Sequence, residues 1–268
     1  MNMQSLYSTQ RVTLRIAHNS LSMAAINHDS ETQIDFEPYI LKSGISMAAN
    51  LREAFRESSL LCRGYGHATV LLDTPLILFP VEEFQEEDKE TLYNYSVSGH
   101  SQDLVVSTVL PDENAVAVYC INKDLKLVLD DHFSDVRLRP LMYSVWSRMH
   151  RMGFSMQHRR LFGYFHDGKL EIFSFDKNRF RYCNCFEGAQ LHDSVYFLLY
   201  VWNQLGMDAR RDEMHLWGRL PEQEQMMTIL RRYVQQVHVH SAAAAFNRAP
   251  ITGIKGIQLD MITHFIRR

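Results

Sequence analysis

Apolar and polar positions alternate over Arg11–Ala17, where Val12, Leu14 and Ile16 interleave with Arg11, Thr13 and Arg15. A period of two is the signature of a β-strand. His18-Asn19-Ser20 reads as a turn, and residues 21–27 and 32–41 continue as second and third strands. The period then lengthens. Met47, Leu51 and Phe55 fall at helical spacing in a stretch that opens at Ser43 or Gly44 and runs to about Ser59. Further on come two apolar runs, "ATVLLD" and "PLILFP", and an acidic amphipathic helix over 81–95. "DLVVSTVL" and "AVAVYCIN" are strands joined by the turn formers Pro111-Asp112-Glu113-Asn114. "KDLKLVLDDHF" is a helix, "VRLRPL" a short strand, and "YSVWSRMHRMG" a helix ending at Gly153.

From Arg159 the pattern restarts. "RRLFGYFH", "KLEIFSFD" and "RFRYCNCF" are three successive strands, with Asp167-Gly168 and Lys177-Asn178 at the hairpin tips. A long helix follows in "AQLHDSVYFLLYVWNQLG", apolar nearly all round and therefore expected to be buried on several sides. "MHLWGRL" and "VHVHS" are strands. "PEQEQMMTILRRYV" is a helix with Pro221 at its start, and "IQLDMITHFIRR" closes the chain as another. The two halves share one order of elements, three strands and a helix followed by alternating strand and helix, so the chain reads as a duplication.

Composition narrows the function classes. Of 268 residues, 46% are apolar and 22% charged, the balance of a globular protein long enough to bury a real core. The net charge of −3 gives no basic surplus to neutralise phosphates, so nucleic acid is not the expected partner. The longest apolar run, residues 195–202, is eight residues, against about 20 for a bilayer span. The opening "MNMQSLYSTQRV" lacks the apolar core of a signal peptide. The four cysteines are then expected to be reduced thiols of a cytoplasmic protein.

Duplicated βββαβαβα is the order of the actin-like ATPases, which share the ribonuclease H-like core. "LILFPVEEFQEEDKETLYNY" followed by "AVAVYCINKDLKLVLDDHF" resembles the inserted subdomain of bacterial pilus-assembly and secretion members. The chain as a whole most resembles a family of uncharacterised bacterial proteins with an actin-like ATPase fold. The resemblance implies two lobes around a cleft. Residues 1–153 form the first lobe, with an inserted subdomain at about 67–122, and residues 154–268 form the second.

In active members of that superfamily, two hairpins grip the nucleotide phosphates, each opening on a strand-end Asp followed by Gly and Ser or Thr. Glycine lets backbone N–H groups reach phosphate oxygens, and the carboxylate holds magnesium or orients water. Here the first hairpin carries Ala17 at the acid position and Asn19 at the glycine position, beside His18, Ser20 and Ser22. In the second, the acid position falls near Tyr164 or Phe165, with His166, Asp167, Gly168 and Lys169 at the tip. The third loop, where paired glycines would admit adenosine, has Gly218 followed by Arg219. These departures imply a non-hydrolytic scaffold or protein-interaction module, a pseudo-ATPase with no catalytic residue. They imply no required cofactor, ATP with magnesium being the ligand to test, and an unidentified protein as partner. The alternative is an ATP-binding protein that uses these residues in non-standard roles.

Other constellations read as structural. Cys183 and Cys185 share a strand face, as do His238 and His240, but their spacing fits no zinc motif, and no metal is expected. Cys62 or Cys120 with a distant histidine would imitate a nucleophile–base pair, without any local signature. Asp130–Phe133 reads as a helix end, and the acids over 82–90 as a solvated face.

Overall fold

The computed structural model describes residues 9–153 and 158–266. The first half runs β1 (Arg11–Ala17), β2 (Ser20–Ile26), β3 (Ile34–Tyr39), α1 (Met47–Glu57), β4 (His67–Leu72), β5 (Leu76–Pro80), α2 (Lys89–Ser96), β6 (Leu104–Leu110), β7 (Ala115–Ile121), α3 (Lys123–His132) and β8 (Asp135–Pro140). After α4 (Tyr143–Gly153) the second half runs β9 (Arg160–His166), β10 (Lys169–Asp176), β11 (Arg179–Glu187), α5 (Leu191–Gln204), β12 (Glu213–Gly218), α6 (Gln223–Leu230), β13 (Gln236–Val239), α7 (Ala242–Ala245) and α8 (Leu259–Phe265).

These elements form two compact units. Of the described residues, the first unit comprises those up to Leu110, with Ala115–Tyr143 and Gly253–Ile257. The second comprises Pro111–Asn114, Ser144–Thr252 and those from Gln258 onward.

The two units repeat one topology. The first sheet has the order β3-β2-β1-β4-β8, and the second β11-β10-β9-β12-β13. In each, the first three strands are an antiparallel meander and the last three are parallel. The duplication expected from element order is therefore present in pairing and register as well. A third sheet, β5-β7-β6, is antiparallel and belongs to the first unit.

Strand position decides what the alternating pattern means. β1 and β9 are the middle strands of their sheets, and from the second residue onward every position of each is buried. The apolar positions of β1 (Val12, Leu14 and Ile16) are core, but so are Thr13 at 2% exposure and Arg15 at 0%. Alternation alone would leave that second face in water. In the second unit, Leu161 and Phe165 on β9 pack with Leu170, Ile172, Leu198, Val201, Trp202, Met214 and Leu216. Burying each such side chain stabilises the unit by roughly 1.5–3 kcal/mol.

Two expectations are corrected. The single acidic helix over 81–95 is instead two 3₁₀ turns, Val81–Glu83 and Glu86–Asp88, ahead of the short α2. Glu82 and Glu86, like Glu83 and Glu87, would stand four apart and repel on a continuous helix, and only Tyr93 is buried. Helix α5 is buried along one stripe, Leu191, Ser194, Val195, Leu198, Val201 and Trp202, and not on several sides. Tyr196 and Tyr200 are 61% and 47% exposed and stack at 5.9 Å between ring centroids. Their rings carry a hydroxyl that water satisfies, so an apolar count overstates their need for burial.

The turn between β6 and β7 carries a buried acid. Asp112 accepts from Ser147 and from Arg151 at 2.8 Å. Next to it Glu113 is 2% exposed, and its Oε1 has no hydrogen-bond partner among the described residues. Burial, and then the Asp112 charge, push its carboxyl up to about 7. A raised carboxylate pKa penalises folding once the group ionises, so stability is lost as pH rises from the unfolded value, near 4.5, through 7. Glu113→Gln removes that penalty. We expect urea unfolding to show the variant gaining on the parent by about 3 kcal/mol between pH 4.5 and pH 8.

Candidate functional site

In each unit the loops that follow the middle strand and its parallel neighbour meet at one end of the sheet. In the second unit these loops are the β9–β10 hairpin and the segment after β12. His166 pairs with Lys169, leaving Asp167-Gly168 as a two-residue tip. Both residues have positive φ, +47° and +79°. That is the type I′ geometry for which Asp-Gly is suited, because it matches the twist of the flanking strands. Gly168 also accepts, through its carbonyl, from the backbone N–H of Gly188 at 2.7 Å.

The Asp167 carboxylate does not point into solvent. Its side chain is 11% exposed, and Oδ2 lies 3.1 Å from His166 Nδ1. Glu171 Oε1 lies 3.7 Å from His166 Nε2, beyond good hydrogen-bond length. Burial alone would lower the His166 pKa, but Asp167, Glu171 and Asp260 outweigh it and raise it to about 9. The Tyr164 ring lies against His166 at 4.9 Å, and its hydroxyl donates to Asp260 Oδ2 at 2.9 Å. β9 ends at His166, the register counterpart of Ala17 in β1, so the acid position expected near Tyr164 or Phe165 is occupied by His166. Tyr164, hydrogen-bonded to a carboxylate from α8, lies two residues before the strand end.

Gly218 ends β12 at φ +87°, where a Cβ would lie 2.0 Å from the Phe165 carbonyl oxygen. Glycine is required there by the pairing of β12 with β9. The next N–H, from Arg219, donates to the same carbonyl at 3.3 Å, and the Arg219 side chain is exposed. His166, Asp167, Gly168, Lys169, Gly218 and Arg219 are thus neighbours at one sheet end.

The first unit builds the equivalent loop from His18 and Asn19, both exposed, between the paired Ala17 and Ser20. The Ser20 hydroxyl accepts from Arg15 Nη1 at 2.7 Å. Ser22 is 4% exposed, and its hydroxyl has no hydrogen-bond partner among the described residues. Ala17, 3% exposed, is packed core. The N–H of Asp73, directly after β4, donates to the Ile16 carbonyl at 2.9 Å, the counterpart of Arg219 against Phe165.

Four residues escaped the sequence reading: Arg15, Asp73, Glu171 and Asp260. Asp260, at 0% exposure between Leu259 and Met261, was signalled by a lone acid within an apolar run. Asp73 was signalled as an acid closing a buried strand.

The remaining constellations separate. β11, with Cys183 and Cys185, and β13, which bears His238, are opposite edges of one sheet, so the four-ligand set does not assemble. His240 instead lies 2.8 Å from His215 and stacks on Trp217, and burial pulls His215 down to about 4. His132 stacks on Phe55 at 3.7 Å, and Lys126 pairs with Asp130, as suits a helix end. Cys62 is exposed, whereas Cys120 does meet a distant histidine, His100, at 3.4 Å.

Two copies of a five-stranded sheet with an antiparallel meander and parallel close, each with its loops at one end, define the actin-like ATPase fold. The chain belongs to the family described as "Protein of unknown function (DUF3822)", whose model matches residues 4–237. It is similar to a Bacteroides thetaiotaomicron protein of actin-like ATPase fold and unknown function, at 22% identity and TM-score 0.83 over 100% of both chains. It is also similar in fold to a chain of the PilM–PilN type IV pilus biogenesis complex, at 9% identity and TM-score 0.52, over 89% of this chain and 90% of that one. No curated protein matches the sequence. No helix of the described residues is long and apolar enough to cross a membrane.

The charge on His166 is directly measurable. We expect its imidazole to titrate by NMR near pH 9, and Asp167→Asn to move the midpoint down. A raised histidine pKa stabilises the fold fully below about 6.5 and loses that contribution as pH rises through about 9.

Proposed function

We propose that this protein is a cytoplasmic, non-hydrolytic scaffold or protein-interaction module built on the actin-like fold, with phosphate and adenosine loops that no longer perform the family chemistry. The observation that carries the reading is the engagement of Ser20 and Asp167 by side chains of their own units. Ser20 is held by Arg15, and Asp167 is held by His166. A carboxylate paired with an imidazolium is poorly placed to bind hydrated magnesium, and Ala17 has no group to offer. A protein partner is supported by two surface features. β11 is a nine-residue edge strand with one unpaired side, a ready template for strand addition. Tyr196 and Tyr200 present exposed aromatic surface on α5, of a kind enriched at interfaces. The PilM–PilN complex, whose very name records a protein partner, shares the fold.

One observation favours a second reading, ATP binding through His18, Ser20, Ser22 and Asp167. Asp73 places an acid beside the β1–β2 hairpin, where a strand-end carboxylate is useful to a metal-bound phosphate. Calorimetric titration with ATP and magnesium, paired with a phosphate-release assay, decides between them. We expect no heat of binding at micromolar protein and no phosphate release. Micromolar affinity with steady release would overturn the scaffold reading. Affinity without release, lost in Asp167→Ala, would establish the second.

A further inference from the structure

The three-stranded sheet holds a group of side chains that the interaction reading does not use. β7 is buried at every position, and Cys120 near its end is 1% exposed. The loop from α2 to β6 turns at Gly99, φ +86°, and the Asp103 N–H donates to the His100 carbonyl at 3.0 Å. That turn brings His100 and Asp103, three apart in sequence, onto Cys120. His100 Nδ1 lies 2.8 Å from Asp103 Oδ2 and 3.4 Å from Cys120 Sγ, and Cys120 Sγ lies 3.6 Å from Asp103 Oδ2.

The three atoms converge on one point. Nδ1 carries either one proton or one lone pair. With the ring proton directed at Asp103, the thiol donates to the same carboxylate oxygen at 3.6 Å. A lone pair accepting from the thiol faces the carboxylate lone pairs at 2.8 Å. A relay of the nucleophile–base–acid type is also excluded, because it needs the two different ring nitrogens, and here Nδ1 faces both partners. A cation at the common point binds all three atoms directly, in place of the ring and thiol protons they now share. Zinc bound at about 2.0–2.3 Å in tetrahedral geometry sets its ligand atoms about 3.3–3.6 Å apart, close to two of the three separations seen. The third, 2.8 Å, opens by about 0.5 Å when the cation replaces the shared proton.

We infer that His100, Asp103 and Cys120 form a zinc-binding site on the inserted sheet, with a fourth position open to water or an exogenous ligand. Thiolate, imidazole and carboxylate together suit a borderline-soft divalent ion rather than magnesium or calcium. Supporting groups are in place. Asn122 Nδ2 donates to the other Asp103 oxygen at 3.3 Å, and the Tyr93 hydroxyl, whose one proton is shared with the Pro75 carbonyl at 2.9 Å, lies 3.2 Å from Cys120 Sγ. His100 and Asp103 side chains are 30% and 18% exposed, which leaves a path for the ion. Without a cation, burial raises the Cys120 pKa; a bound divalent ion reverses that preference.

The test uses the full chain. Purified protein is loaded with zinc, passed through gel filtration and assayed for metal by mass spectrometry, and affinity is measured against a chromogenic chelator. We expect one zinc per chain, with affinity at least tenfold weaker in both His100→Gln and Asp103→Asn. These two positions are partly exposed, and circular dichroism checks that each variant is folded. Cobalt substitution should give a thiolate-to-metal charge-transfer band that Cys120→Ser removes. Failure of the chain to retain zinc, or an unchanged affinity in His100→Gln, overturns the proposal. Neither result bears on ATP binding, which is assayed separately.

Discussion

A strand buried on both faces must satisfy its polar groups from within the protein, since water cannot reach them. β1 and β9 are such strands, and this constraint shapes the loops at their ends. Arg15 is fully buried and reaches Ser20 across the hairpin. Tyr164 and His166 meet Asp260, Asp167 and Glu171. Several polar groups at these loop ends are therefore ones that the sheet interior requires. Under the proposed function, a loop whose donors and acceptors complete the core has little left for a phosphate.

The same constraint explains the glycines. Gly168 and Gly218 look like relics of nucleotide loops, but each has a local reason to be glycine. Gly168 takes the second position of a type I′ turn, and Gly218 lies against the Phe165 carbonyl at a distance that no Cβ tolerates. Glycine at a phosphate-loop position is thus weak evidence for phosphate when strand pairing already demands it.

Much of the architecture was legible in the residues. Period-two runs gave β1 and β9 to β11, the Asp167-Gly168 pair gave a hairpin tip, and element order gave the duplication seen in both sheets. What pattern could not give was depth. Alternation treats Thr13 and Arg15 as an outer face, although both are core. Apolar count treats Tyr196 and Tyr200 as buried, although both are exposed. The site was less legible than the fold, because its partners come from afar. Asp260 stands 96 residues from Tyr164, and Cys120 stands 20 from His100. No local spacing announces such pairs, since strand register and helix docking create them.

Loop amides matter as much as side chains, because backbone N–H groups are what a phosphate would seek. The most direct measurement follows the ¹⁵N-resolved amides of Asn19, Ser20, Gly168, Lys169 and Gly218 while ATP and magnesium are added. For a non-hydrolytic scaffold, we expect their resonances to stay in place up to millimolar nucleotide. Saturable shifts confined to those loops would contradict that reading.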